Sequence, residues 1–150
     1  MSIKTLCKYV IGWEGFLYLY RIYDRDKLYQ QAVHDSKKNH KPLVIVGAHD
    51  LGATKGMWCG DYVIDIRPSA CPNSVQLDIT KSLPFANDSV VVFVSCVLEY
   101  VDNVANALVE LRRIAGNHLY IARVQPWTLT SVLYPGAKRT LPAILSGRVA

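Results

Sequence analysis

Five short apolar runs, punctuated by glycine, proline and acidic residues, constrain this chain more than any other feature. They cover residues 43–47, 62–66, 75–78, 90–95 and 118–124. The fourth, Val90-Val91-Val92-Phe93-Val94-Ser95, is almost unbroken in β-branched and aromatic side chains. A strand with one wet face alternates apolar and polar residues, whereas a continuous apolar run needs cover on both faces. Such runs, spaced by helical or looped segments, predict an α/β fold. The expected form is a Rossmann-like, mainly parallel sheet of about five strands with flanking helices.

The segments between the runs fit that frame. A polar stretch is expected to be helical from Asp24 to about Ser36, and Pro42 interrupts it where the first strand begins. Residues 51–59 read as a glycine-broken turn or short helix. Residues 67–74 include Pro68 and Pro72 and are too few for a crossover helix, so an extended connection is expected. Residues 102–115 place Val104, Ala107, Leu108, Leu111 and Ile114 at helical spacing. That helix leaves Glu110, Arg112 and Arg113 outside and stops at Gly116.

A chain of 150 residues is the size of one domain, and 51% hydrophobic against 19% charged residues excludes general disorder. The chain divides into a helical N-terminal appendage (1–41), the sheet-forming core (42–124) and a tail (125–150) that completes or covers the sheet edge. Residues 5–23 form an N-terminal aromatic helix carrying Tyr9, Trp13, Phe16, Tyr18, Tyr20 and Tyr23. Lys8, Glu14 and Arg21 inside this stretch argue against a membrane span. Either its Leu6, Val10, Trp13 and Leu17 stripe packs on the domain's own sheet, or it docks on a protein partner, another copy of the chain or a membrane surface.

The net charge of +5 is concentrated in Lys37-Lys38-Asn39-His40-Lys41, Arg112-Arg113 and Lys138-Arg139. These clusters are compatible with nucleic acid or anionic lipid. No RRM, KH or zinc-finger signature accompanies them, and a solvated surface explains them equally. Cys7, Cys59, Cys71 and Cys96 show no C-x-x-C spacing, and the chain opens without a cleavable apolar leader. Reduced thiols and a cytoplasmic location are expected, peripheral at a membrane if residues 5–23 dock there. Cys59, Cys71 and one of His34, His40, His49 or His118 could bind zinc by residue type, but without motif spacing, so no metal site is assigned.

In an open parallel sheet, ligands bind beyond the carboxyl ends of the strands. Gly47, Asp65, Asp78 and Ser95 each fall at such an end. Gly47-Ala48-His49-Asp50 forms the first loop, where glycine permits both a sharp turn and close approach of a ligand. A carboxylate at Asp65 can accept from both hydroxyls of a ribose.

The order of Asp65, Asp78-Ile79, Leu83-Pro84-Phe85-Ala86-Asn87-Asp88-Ser89 and Val97-Leu98-Glu99-Tyr100-Val101-Asp102 resembles a known family. It is similar to the cofactor-binding half of class I S-adenosylmethionine-dependent methyltransferases, in their compact, methyltransferase type 11-like subgroup, over about residues 42–124. The resemblance implies that Asp65 holds the ribose, Asp78 accepts from the adenine amino group and the Ile79 N–H donates to the ring. Gly47, Ala48, His49, Asp50 and Ser95 would complete the S-adenosylmethionine site. Against the family's D-x-G-x-G-x-G, this chain keeps Gly47 but has Ile45, His49 and Leu51 in place of the acid and the other glycines. Asp50 either replaces the acid that contacts the ammonium or caps a following helix. Val90-Val91 stand where the family has Phe-Asp, and Tyr100 where it has His.

Two functions follow from the resemblance. In one, the chain is a methyltransferase of unknown acceptor, in which positioning supplies much of the rate and His49 and Tyr100 are candidate bases by location alone. In the other, it is a catalytically degenerate methyltransferase fold serving as a structural or interaction module.

Overall fold

The computed structural model describes residues 22–47, 58–69 and 72–122, with side chains from Arg25 onward. The expectations for residues 5–21, for Ala48, His49 and Asp50, and for the tail 125–150 lie outside the described residues.

Five strands form one sheet: β1 Leu43–Val46, β2 Tyr62–Asp65, β3 Ser74–Gln76, β4 Val91–Ser95 and β5 Leu119–Ala122. Their spatial order is β3-β2-β1-β4-β5, and every neighbouring pair is parallel. The apolar runs therefore become strands in the expected Rossmann-like arrangement. β2 and β3 are joined by residues 66–73, and no helix occurs among the described part of that link.

Two helices cover the sheet, α1 Ile22–Asn39 and α2 Val104–Ala115. The period of two along a strand decides which residue meets which helix. Leu43, Ile45, Val63, Val91 and Phe93 form one core with Leu28, Tyr29, Ala32 and Val33 of α1. Val44, Val46, Ile64, Val92 and Val94 form the other with Ala107, Leu108, Leu111 and Ile114 of α2. β1 and β4 are buried along their whole length, which is why they carry almost no polar side chain. Each such aliphatic or aromatic side chain contributes about 1.5–3 kcal/mol by leaving water.

α1 begins inside the aromatic segment, continues past Ser36 and lies across β4 and β5. Residues 22–39 are thus a layer of the domain. The helix ends where His40 adopts a left-handed φ of 53° and the Lys41 N–H returns to the Ser36 carbonyl at 3.1 Å. Near that end, Asp35 Oδ2 meets His118 Nδ1 at 2.6 Å and accepts from the Tyr120 hydroxyl at 3.0 Å, tying α1 to β5.

α2 starts at an Asn103 cap, whose side chain accepts from the Asn106 N–H, and stops at Gly116 with φ 56°. Glu110 and Arg113 lie off the apolar stripe of α2 and there meet the loop that precedes β4. Glu110 Oε1 accepts from the Leu83 N–H at 2.6 Å, and both its carboxylate oxygens accept from Arg113. Arg113 also donates to the carbonyls of Leu83 and Phe85 and to Asn87 Oδ1. The pair thereby clamps the Leu-Pro-Phe loop onto α2. Among the described residues no helix is long and apolar enough to cross a membrane.

Candidate functional site at the carboxyl crest of the sheet

The chain reverses its direction of sheet growth between β1 and β4. From β1 it steps outward to β2 and β3, then returns to place β4 on the other side. The carboxyl ends of β1 and β4, on either side of this reversal, are the usual ligand position in such sheets.

Gly47 and Ser95 lie at these two strand ends. Gly47 has a left-handed φ of 78°, and its N–H donates to the Ile64 carbonyl at 3.0 Å. A Cβ built there would overlap the Val97 Cγ2 methyl and lie 3.4 Å from the Ser95 carbonyl oxygen. Glycine is therefore required on two grounds, conformation and space. The same contact puts a valine side chain against the first loop's only described residue. Ser95 is buried at the end of β4. The next residue, Cys96, takes a left-handed φ of 52° and donates its N–H to the Ala122 carbonyl at 3.0 Å.

Asp65 closes β2 with 9% of its surface exposed. Its Oδ1 accepts from the Arg67 N–H at 2.9 Å, with Arg67 Nε 3.8 Å away. That guanidinium is largely solvated, so the ion pair adds little, and the backbone turn is the firmer tie. Among the described residues Oδ2 accepts no hydrogen bond, which leaves it able to receive a ligand hydroxyl.

Asp78 stands two residues past β3, whose Gln76 is the register partner of Asp65. Its Oδ1 accepts from both the Thr80 hydroxyl at 2.7 Å and the Thr80 N–H at 2.9 Å. These bonds hold the Asp78 carboxyl below the usual carboxylate range. The neighbouring Ile79 is buried in the α2-side core. Asp65 and Asp78 are thus brought to the same end of adjacent strands, each anchored by its own turn.

Beyond β4, residues Leu98–Tyr100 form a single 3-10 turn, with Leu98 and Glu99 buried and Tyr100 45% exposed. Burial pushes the Cys96 thiol up to about 12, with Arg25 opposing and Glu99 reinforcing the rise. A thiol so protonated is no nucleophile at neutral pH. Among the described residues no three His, Cys, Asp or Glu side chains are grouped to hold a metal ion.

Two features here are absent from the sequence reading. Arg25, in the first turns of α1, places its guanidinium carbon 5.1 Å from the centroid of the Trp58 ring. Trp58 is itself buried and adopts a left-handed φ of 52°. No spacing rule links residues 33 positions apart in the sequence. An aromatic residue placed just before Cys59-Gly60 was the only available signal.

No protein-family model, curated protein or solved structure matches this chain.

Proposed function

We propose that this chain is an S-adenosylmethionine-dependent methyltransferase-like protein whose cofactor lies across the carboxyl crest, with its ribose on Asp65. The observation that carries the reading is the Asp65 carboxylate, 9% exposed at the end of β2 in a β3-β2-β1-β4-β5 parallel sheet. The Arg67 N–H engages Oδ1 alone, and Oδ2 accepts no hydrogen bond among the described residues. Vicinal ribose hydroxyls are donors that such an oxygen can accept. Asp78, next along the crest, offers an acceptor to an exocyclic amine.

Methyl transfer asks little more of such a site than alignment. The methyl of a sulfonium is already activated, so holding the acceptor in line with it accounts for much of the acceleration. Ser95 and the 3-10 turn after β4 border the place where an acceptor would approach.

A second reading, the degenerate fold used as an interaction module, is favoured by Val97, whose methyl crowds Gly47 where a cofactor chain would pass.

Isothermal titration with S-adenosylmethionine and S-adenosylhomocysteine separates the two. The methyltransferase reading expects binding, and it expects Asp65→Ala to weaken it by about 1.5–3 kcal/mol, the scale of a hydrogen bond to a charged group. Absence of binding to the folded wild type at millimolar ligand supports the module instead. Unchanged affinity in Asp65→Ala removes Asp65 from the site.

A further inference from the structure

α1 runs from the carboxyl crest down to the opposite end of the sheet. At its last turns Asp35 touches His118, which precedes β5. Midway, the Tyr29 ring meets Phe93 of β4 edge-on at 5.6 Å. At its first turns Arg25 lies over Trp58, which packs in the same core as Cys96, the residue just past β4. The start of α1 therefore lies toward the carboxyl ends of the strands, where Gly47 and Ser95 sit.

The Arg25 guanidinium carbon stands over the buried Trp58 ring, 5.1 Å from its centroid, a cation–π arrangement. The side chain is half-buried, yet among the described residues it forms no ion pair and no hydrogen bond. A guanidinium presents five N–H donors in a rigid fork that matches a carboxylate bidentately. A half-buried guanidinium gains from a charge-assisted pair, so a carboxylate is a fitting ligand for it.

We propose that Arg25 is the anion-binding residue of the crest and takes the carboxylate at the amino-acid end of S-adenosylmethionine. The proposal rests on the methyltransferase-like reading and adds a residue from α1 to a site otherwise built from strand ends. Trp58 is the positioning residue, because the guanidinium rests over its ring.

The test measures binding of S-adenosylmethionine and of its decarboxylated analogue, which keeps the nucleoside, sulfonium and amine but lacks the carboxylate. Wild type is expected to prefer the intact cofactor by about tenfold or more, the range of charge-assisted hydrogen bonds. Arg25→Gln is expected to weaken intact cofactor binding by about 10- to 100-fold while changing analogue affinity less than about threefold. Arg25→Lys should recover part of the loss, because the charge remains without the fork. Circular dichroism and the urea midpoint establish that each variant is folded. If Arg25→Gln does not fold, the wild type's discrimination and Arg25→Lys still decide. Equal affinity of the wild type for both ligands overturns the assignment, as does an equal loss of both in either folded variant. A wild type that binds neither ligand sinks the methyltransferase-like reading itself, a result distinct from binding that ignores residue 25.

Discussion

Replacing Gly47 by alanine separates conformation from space at the first loop. The left-handed region costs a non-glycine residue about 1–2 kcal/mol, because its Cβ crowds the backbone. The new methyl would also overlap the Val97 Cγ2 methyl. Forcing an extra carbon into such a contact typically costs about 1–3 kcal/mol more through side-chain and backbone displacement. Gly47→Ala should therefore lose about 2–5 kcal/mol, a large share of a domain's stability. Val97→Ala alone removes two methyl groups from a half-buried side chain and should cost about 1 kcal/mol. In the double variant the overlap disappears but the φ of 78° does not. Gly47→Ala should then cost only its conformational share, giving a favourable coupling of about 1–3 kcal/mol between the sites. Equilibrium urea unfolding followed by tryptophan fluorescence reads all four corners of the cycle. Additive effects would show that Val97 does not rest on Gly47. A Gly47→Ala protein within about 0.5 kcal/mol of wild type would refute the left-handed conformation as well.

Two further expectations concern the ties between layers. Glu110→Gln should destabilise the protein by about 1–3 kcal/mol, since Glu110 accepts from both Arg113 and the Leu83 N–H, and thermal unfolding of the two proteins checks it. The hydrogen bond from Arg113 holds the Glu110 carboxyl below its ordinary value. This contribution is therefore present above the unfolded value of about 4.3 and disappears as pH falls through the lower folded value. At Asp35, burial pushes the carboxyl up, but hydrogen bonds from His118, Tyr120 and Asn39 outweigh it and leave the folded value depressed. Wild type should exceed Asp35→Asn in stability above about pH 4 and lose that advantage in more acidic buffer. A difference that grows on acidification would reverse the assignment.

The sheet was legible because burial leaves a local imprint. Val91–Ser95 is covered on both faces, so the covering selected a run with almost no polar residue. β3 is half-exposed at Ser74 and exposed at Val75 and Gln76, and its imprint is fainter. Contacts between distant segments leave no such periodicity. A helical wheel puts Glu110 and Arg113 on the polar side of α2, which is true, but only the fold delivers Leu83 and Phe85 to them. Arg25 with Trp58, Asp35 with His118 and Gly47 with Val97 were invisible for the same reason.

The strand-end acids illustrate a different boundary. Aspartate suits a tight turn because its carboxylate accepts from a backbone N–H two residues on, and both Asp65 and Asp78 do this. Residue type and position thus fit a turn former and a ligand acceptor equally. At Asp65 the geometry makes these roles compatible, since the turn uses Oδ1 while Oδ2 accepts no hydrogen bond among the described residues. At Asp78 both Thr80 donors converge on Oδ1, again sparing the second oxygen. In the proposed site, the turn bonds fix each carboxylate's orientation before a ligand arrives and so reduce the ordering cost of binding.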